Sequence, residues 1–312
     1  MAGDMIRILL TGASGQIGAE LKQLLPELGN LIAPDRNALD LTDVSALRSS
    51  IRKIKPDLIV NAAAYTAVDR AEDEQEVARA VNAAAPAVIA EEARAVYAAV
   101  VHYSTDYVFD GEKSGPYNES DVPRPLSTYG SSKLAGEQAI IAAGIPHLIL
   151  RTSWIYGARG VNFMRTILRL AHEREELRVV GDQFGAPTWC RSVALATFSI
   201  LRTLCASGRL DRNRFSTVSG LYHVTAGGET SWHGFARAIL AEYAGREMFK
   251  ETAKLKTQRV IPIPSSEYPS RARRPRNSIL SNDKIARTFG VATADWRVQL
   301  RTVMDEIAIE FK

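Results

Sequence analysis

Five short β-type runs separated by longer stretches of helical spacing fill the first half of this 312-residue chain, and that alternation limits the possible folds more than any other feature. The runs are Ile6 to Thr11, Asn30 to Pro34, Leu58 to Asn61, Val100 to Ser104 and His147 to Thr152. Between them, Gln16 to Leu28, Val44 to Ile54, Val77 to Val96 and Thr128 to Ala143 carry Ala, Leu and charged residues at helical intervals. Strands that alternate with helices in this way predict a parallel sheet with crossover helices, a Rossmann-like doubly wound α/β fold.

Past Arg151 the rhythm changes to short elements punctuated by Pro and Gly, and a second, smaller lobe is expected to begin near Trp154. Ser192 to Ser207 again reads as a buried Ala/Leu helix, so the chain is expected to return to the first domain there. The division this predicts is a first domain over 1–153 with a return segment near 188–220, and a C-terminal lobe built mainly from 154–187 and 221–312.

Composition excludes several classes. At 46% hydrophobic and 24% charged the chain is an ordinary globular one, long enough to bury two cores without disulfides. Met5 to Leu10 is interrupted by Arg7 and stops at Thr11-Gly12, and no run approaches the roughly 20 apolar residues of a membrane helix. Cys190 and Cys205 lack metal-ligand spacing, as do the five histidines, His102, His147, His172, His223 and His233, which read as packing or surface residues. A reducing, cytoplasmic setting without membrane insertion is expected. The net charge of +4 is modest for this length; it suits an anionic ligand and gives hardly any support to nucleic acid, and no nucleic acid partner is expected.

Two motifs carry chemistry. Gly12-Ala13-Ser14-Gly15-Gln16-Ile17-Gly18 follows the first strand and opens the first helix, where backbone amides can approach a dinucleotide's pyrophosphate. On the adenosine side, Asp35 at the end of the second strand suits a ribose hydroxyl and Arg36 a 2′-phosphate, so both NADH and NADPH are expected to serve; an exposed turn pair is the competing reading. Asp40 is a further candidate for the adenine end. Ala62, Ala63 and Ala64 would let a cofactor lie close, or would serve tight packing.

The second motif is Tyr129-Gly130-Ser131-Ser132-Lys133, which places a phenol and an ammonium one helical turn apart. A phenol ionises near pH 10, so a neighbouring Lys⁺ is needed if its anion is to form. The pair follows Ser104-Thr105 by one β-α unit, and those hydroxyls lie at the carboxyl edge where such sheets bind ligands.

In this order the residues resemble the extended short-chain dehydrogenase/reductase superfamily over essentially the whole chain. Asn61 to Asp69, His102 to Phe109, Leu148 to Tyr156, Asp182 to Thr188 and Gly220 to Val224 resemble the dTDP-4-dehydrorhamnose reductases within it. That resemblance implies NADPH- or NADH-dependent reduction of the C4 keto group of dTDP-4-dehydrorhamnose in nucleotide-sugar biosynthesis for surface polysaccharide. Tyr129 would protonate the 4-oxygen, Lys133 would tune the phenol and hold the nicotinamide ribose, and Thr105 would hydrogen-bond the same oxygen. Val68, Asp106, Tyr107 and Trp154 match positions that shape the sugar site. Arg274-Pro275-Arg276-Asn277-Ser278 fits a family pattern, and Arg274 suits the diphosphate, although a solvated loop is the plainer reading of this arginine-rich stretch.

Thr105-Asp106-Tyr107 lacks the Asp-Glu pair of the related 4,6-dehydratases. Two alternatives stand beside the reductase reading: a different dTDP-4-keto-6-deoxy sugar, or a non-catalytic NADP-binding regulatory subunit. Some family members are described as dimers with Mg²⁺ held between acidic side chains of the two subunits. Here the first helix offers Glu20, but Trp189-Cys190-Arg191 follows Thr188 where the second carboxylate would stand. No metal and no metal-bridged dimer are expected, and a monomer is favoured, with an Arg191–Glu20 contact leaving room for another kind of dimer.

Overall fold

The computed structural model describes residues 5–206, 208–246 and 255–310. Six strands form one parallel sheet: β1 Arg7–Thr11, β2 Asn30–Ile32, β3 Leu58–Asn61, β4 Ala99–Thr105, β5 His147–Thr152 and β6 Gly220–His223. Their spatial order is β6-β5-β4-β3-β1-β2. The order reverses at β1, and the carboxyl ends of β1 and β3 meet there with Thr11 opposite Asn61. Ligands of open α/β sheets bind outside that edge.

Strand alternation sends successive side chains to opposite faces. Ile8, Leu10, Val60, Val101, Leu148 and Leu150 face one layer, packed with Leu21 of α1 (Gln16–Leu24) and Val193 and Leu201 of α6 (Cys190–Leu204). Leu9, Ile59, Val100 and Ile149 face the other, against α2 (Val44–Ile54), α3 (Ala85–Val96) and α4 (Thr128–Ala142). The sheet is doubly wound.

Two expected helices differ in a way proline explains. The first helix stops at Leu24 and tightens into a 3₁₀ turn over Leu25–Glu27, because Pro26 has no N–H for the carbonyl of Lys22. The stretch expected as one helix from Val77 is a short helix Gln75–Arg79, a π-turn Ala80–Ala84 and then α3. Pro86 cannot donate to the carbonyl of Asn82, and the ladder loosens at that point.

A second core joins α5 (Phe163–Glu173), α7 (Trp232–Ala244) and α9 (Trp296–Glu310) around Tyr156, Trp189, Phe235 and Trp296. The parallel pair Glu176–Val180 and Arg259–Ile263 borders it. Residues after 220 serve both layers: β6 belongs to the main sheet, and Ile285 of α8 (Asp283–Phe289) packs into the first core, so a boundary at 221 cuts through a strand. Helix α6 ends at Leu204, and Ser207, expected to close it, lies outside the described residues, as do Met1 to Asp4.

Candidate active site

The glycine turn is compact because side chains are missing from it. Gly12 has φ +74°, and a Cβ there would stand 2.4 Å from the backbone nitrogen of Ala63; one on Gly18 would stand 2.0 Å from the carbonyl oxygen of Gly12. The three alanines after β3 thus border the turn that opens α1. No side chain caps this helix at Gly15, so its first N–H groups remain for a ligand, and the residues fit a dinucleotide's phosphates. The Gln16 side chain accepts from Asn162, and Ile17 packs into both cores, which ties this corner to the second lobe.

Asp35 and Arg36 are exposed beyond β2. Asp35 caps the backbone N–H of Ala38 at 2.9 Å, and Asp40 accepts from the backbone and hydroxyl of Thr42, both at 2.9 Å, which holds its carboxyl below the usual range. Arg36 stands 3.8 Å from Asp40. These side chains fix a turn of their own and leave the Arg36 guanidinium in solvent.

Ser127 caps α4 by accepting from the N–H of Gly130 at 3.2 Å, so Tyr129 falls in the first turn and Lys133 one turn later. Gly130 is needed there, because a Cβ would stand 2.1 Å from the carbonyl oxygen of Tyr107. Tyr129 is buried and packs edge-on against Tyr107, with the Thr105 hydroxyl in its surroundings. Burial pushes its phenol pKa up, against the influence of Thr105, so the ring oxygen keeps its proton. The ammonium of Lys133, 1% exposed, donates to the carbonyl of Tyr103 at 2.6 Å. Burial, against the pull of Glu137, brings its pKa down to about 8.

Thr105 also donates to Asp106 at 3.0 Å and accepts from the N–H of Tyr107 at 3.2 Å. Burial pushes the Asp106 carboxyl up to about 6, with hydrogen bonds from Ser278 and Thr105 acting the other way. The sign for stability follows. Below about pH 4 folded and unfolded chains both hold the proton; between about 4 and 6 the unfolded chain loses it first, and stability falls as pH rises through this window. Asp106→Asn is therefore expected to be more stable than the parent by about 3 kcal/mol at pH 7, with the difference vanishing near pH 3. Urea unfolding of both proteins across that range measures it, and a gap independent of pH would contradict the assignment.

Val68 and Tyr107 pack around Tyr129. Arg274 reaches the same corner, where its charge acts on the Tyr107 phenol and it donates to Asp69 at 2.7 Å; Arg271 pairs with Asp73, while Arg273 and Arg276 are exposed. The arginine stretch is only partly a solvated loop. Trp154 has φ +50° and lies flat on Trp232, ring centroids 3.5 Å apart. Gly185 makes room, since a Cβ there would stand 2.6 Å from the Trp154 ring. Trp232, Asp69, Ser278 and the buried pair Glu137–Arg151 at 2.6 Å were not foreseen, and only the small Gly185 hints at any of them.

Arg191 donates to Glu20 at 2.6 and 3.3 Å and to Glu306 at 2.5 Å, within one chain. A guanidinium already occupies the place between the two carboxylates, and among the described residues no group of three or more His, Cys, Asp or Glu side chains is placed to hold a metal.

Residues 6–309 match the family described as the RmlD substrate binding domain. A dTDP-4-dehydrorhamnose reductase of Burkholderia thailandensis is 48% identical over 292 residues, 94% of this chain and 96% of that protein. The chain belongs to the dTDP-4-dehydrorhamnose reductase family. A family member from Escherichia coli K12 is 42% identical over 97% of this chain and 98% of its own length. Among solved structures, a dTDP-4-dehydrorhamnose reductase of Clostridium acetobutylicum superposes with a TM-score of 0.85 at 36% identity, covering 97% of this chain and 99% of that one. One from Bacillus anthracis, in complex with NADP, gives 0.83 at 34% identity with the same coverage. The UDP-glucose 4-epimerase of Thermus thermophilus, 20% identical with a TM-score of 0.74, shares the fold.

Proposed function

We propose that this family member reduces the C4 keto group of dTDP-4-dehydro-6-deoxy-L-mannose to give dTDP-L-rhamnose. The observation that carries the reading is a buried phenol, kept protonated by that burial, one turn ahead of Lys133 on a helix whose first turn stands against the carboxyl edge of the sheet. Gly12, Gly15, Gly18 and the alanines after β3 hold the dinucleotide's phosphates, with Asp35, Arg36 and Asp40 at its adenosine end. Bound there, NADPH or NADH supplies the hydride.

The chain's own residues do the rest. Tyr129 donates its proton to the 4-oxygen as negative charge develops, and burial favours the protonated phenol that this step consumes. Thr105, once its hydroxyl hydrogen turns from Asp106, offers a second hydrogen bond at the same oxygen. Lys133, one helical turn further along, supplies a positive charge that favours the phenolate left behind. Val68, Asp106, Tyr107 and the partly exposed Trp154 bound the sugar, and Arg274 binds the diphosphate once it exchanges Asp69 for it.

Oxidation of NADPH and NADH followed at 340 nm against a panel of dTDP-4-keto-6-deoxy sugars tests the reading. Turnover fastest with dTDP-4-dehydrorhamnose is expected; preference for another sugar corrects the substrate, and binding without turnover points to a regulatory subunit. No helix among the described residues is long and apolar enough to cross a membrane, and we place the enzyme in the cytoplasm with its nucleotide-sugar substrate. The Arg191 clasp supports a monomer that needs no Mg²⁺. EDTA is expected to change neither sedimentation coefficient nor rate, and chelator-dependent loss of either would contradict this.

A further inference from the structure

The environment of Lys133 contains one neighbour to which the proposed reaction gives no part. Besides the Tyr103 carbonyl, its nitrogen stands 3.4 Å from Nε2 of His102, and both side chains are buried in β4 and α4. How that imidazole is protonated is decided one strand further on. The backbone N–H of Ala63 can only donate, and it points at Oδ1 of Asn61 at 3.3 Å; the Thr11 hydroxyl donates to the same oxygen at 2.7 Å. The Asn61 oxygen is thereby fixed toward β1 and its NH₂ group toward β4, 3.0 Å from Nδ1 of His102. An amide NH₂ has only hydrogens to offer, so Nδ1 must be the bare acceptor. Burial, together with the Lys133 charge, keeps the ring from gaining a second proton, and its single hydrogen therefore sits on Nε2, facing the lysine.

We infer that His102 is a positioning residue for Lys133: locked by Asn61 as its Nε2–H tautomer, it closes the sheet side of the lysine nitrogen to the ammonium's own hydrogens and turns them toward the Tyr103 carbonyl and the open end of β4. A lysine with an N–H beside it holds its proton less firmly than one facing an acceptor, so the ring acts in the same direction as burial. The other titratable groups near this lysine are Glu137, one turn along α4 and paired to Arg151, and Tyr129, one turn back with Asp106 beside it. The Tyr103 phenol is bonded to Thr197. Thr11, Asn61, His102 and Lys133 thus form one buried line from the glycine turn to the catalytic helix.

The role given to Lys133 rests on the reductase reading above, but the tautomer does not, and the two are measured separately. Long-range ¹H–¹⁵N correlation on protein labelled at histidine is expected to show His102 with a bare Nδ1 and a protonated Nε2 from pH 6 to 9. A proton on Nδ1 would overturn the inference. Asn61→Asp replaces the NH₂ by an acceptor, drawing the ring hydrogen to Nδ1 and presenting a bare Nε2 to the lysine. The high-pH decline of kcat is then expected to move up by about one unit. Because a buried carboxylate can prevent folding, His102→Asn is the second variant: its amide oxygen keeps a partner for Asn61, and it removes the Nε2 side of the ring, with the hydrogen that faces Lys133. It is expected to lower kcat about ten- to a hundredfold, to move the same decline upward and to leave the KM for the sugar nucleotide in place. A loss of stability alone, with an unmoved pH profile, would mean that His102 only packs. Wild-type protein with the Nε2–H tautomer but no turnover would sink the reductase reading and leave the His102–Lys133 contact supported.

Discussion

Tyr129→Phe is expected to lower kcat by about 10² to 10⁴ while the affinity for NADPH stays within a factor of a few. The substitution removes one oxygen and keeps the ring, so the edge-on packing against Tyr107 survives and the helix that carries Lys133 does not move. What disappears is the proton donor. Stopped-flow reduction together with fluorescence titration of NADPH separates the two quantities, and a variant with near-parental turnover would remove Tyr129 from the mechanism.

The second large effect concerns folding. Arg151 of β5 and Glu137 of α4 form a two-point ion pair with side chains 3% and 1% exposed. Removing one partner strands a charge beneath the helix that bears Tyr129 and Lys133, and Arg151→Met is expected to cost about 3 to 5 kcal/mol. The double change Arg151→Met with Glu137→Leu leaves no buried charge and is expected to recover most of that loss. Urea midpoints of the three proteins give the comparison. If the double variant were as unstable as the single one, the pair would owe its value to shape and not to charge.

The parts of the site that could be read from the sequence are those in which spacing along the chain is also spacing in space. The glycine turn is local, since Gly12, Gly15 and Gly18 meet one another within two turns of chain. Tyr129 and Lys133 are one helical turn apart, and a hydrophobic run of β type carries its own face alternation. The unread parts are pairings across the fold. Asp69 and Arg274 lie 205 positions apart, and Arg191 and Glu306 lie 115 apart. Either charge in isolation looks like a solvated residue, and only the folded sheet brings the two together. His102 was read as packing for the same reason: its partners Asn61 and Lys133 come from a neighbouring strand and the covering helix. The π-turn at Ala80–Ala84 is an intermediate case, signalled by Pro86 but overridden in a reading that followed helical periodicity alone.

Trp154 and Trp232 have a consequence outside chemistry and stability. Two indoles stacked at 3.5 Å and nearly parallel share their excited states, so the protein carries an optical label of its own at the junction of its two layers. One ring of the label, Trp232, is backed by the second core, and the other is only partly exposed, so anything that shifts the two layers against each other alters the near-ultraviolet dichroism.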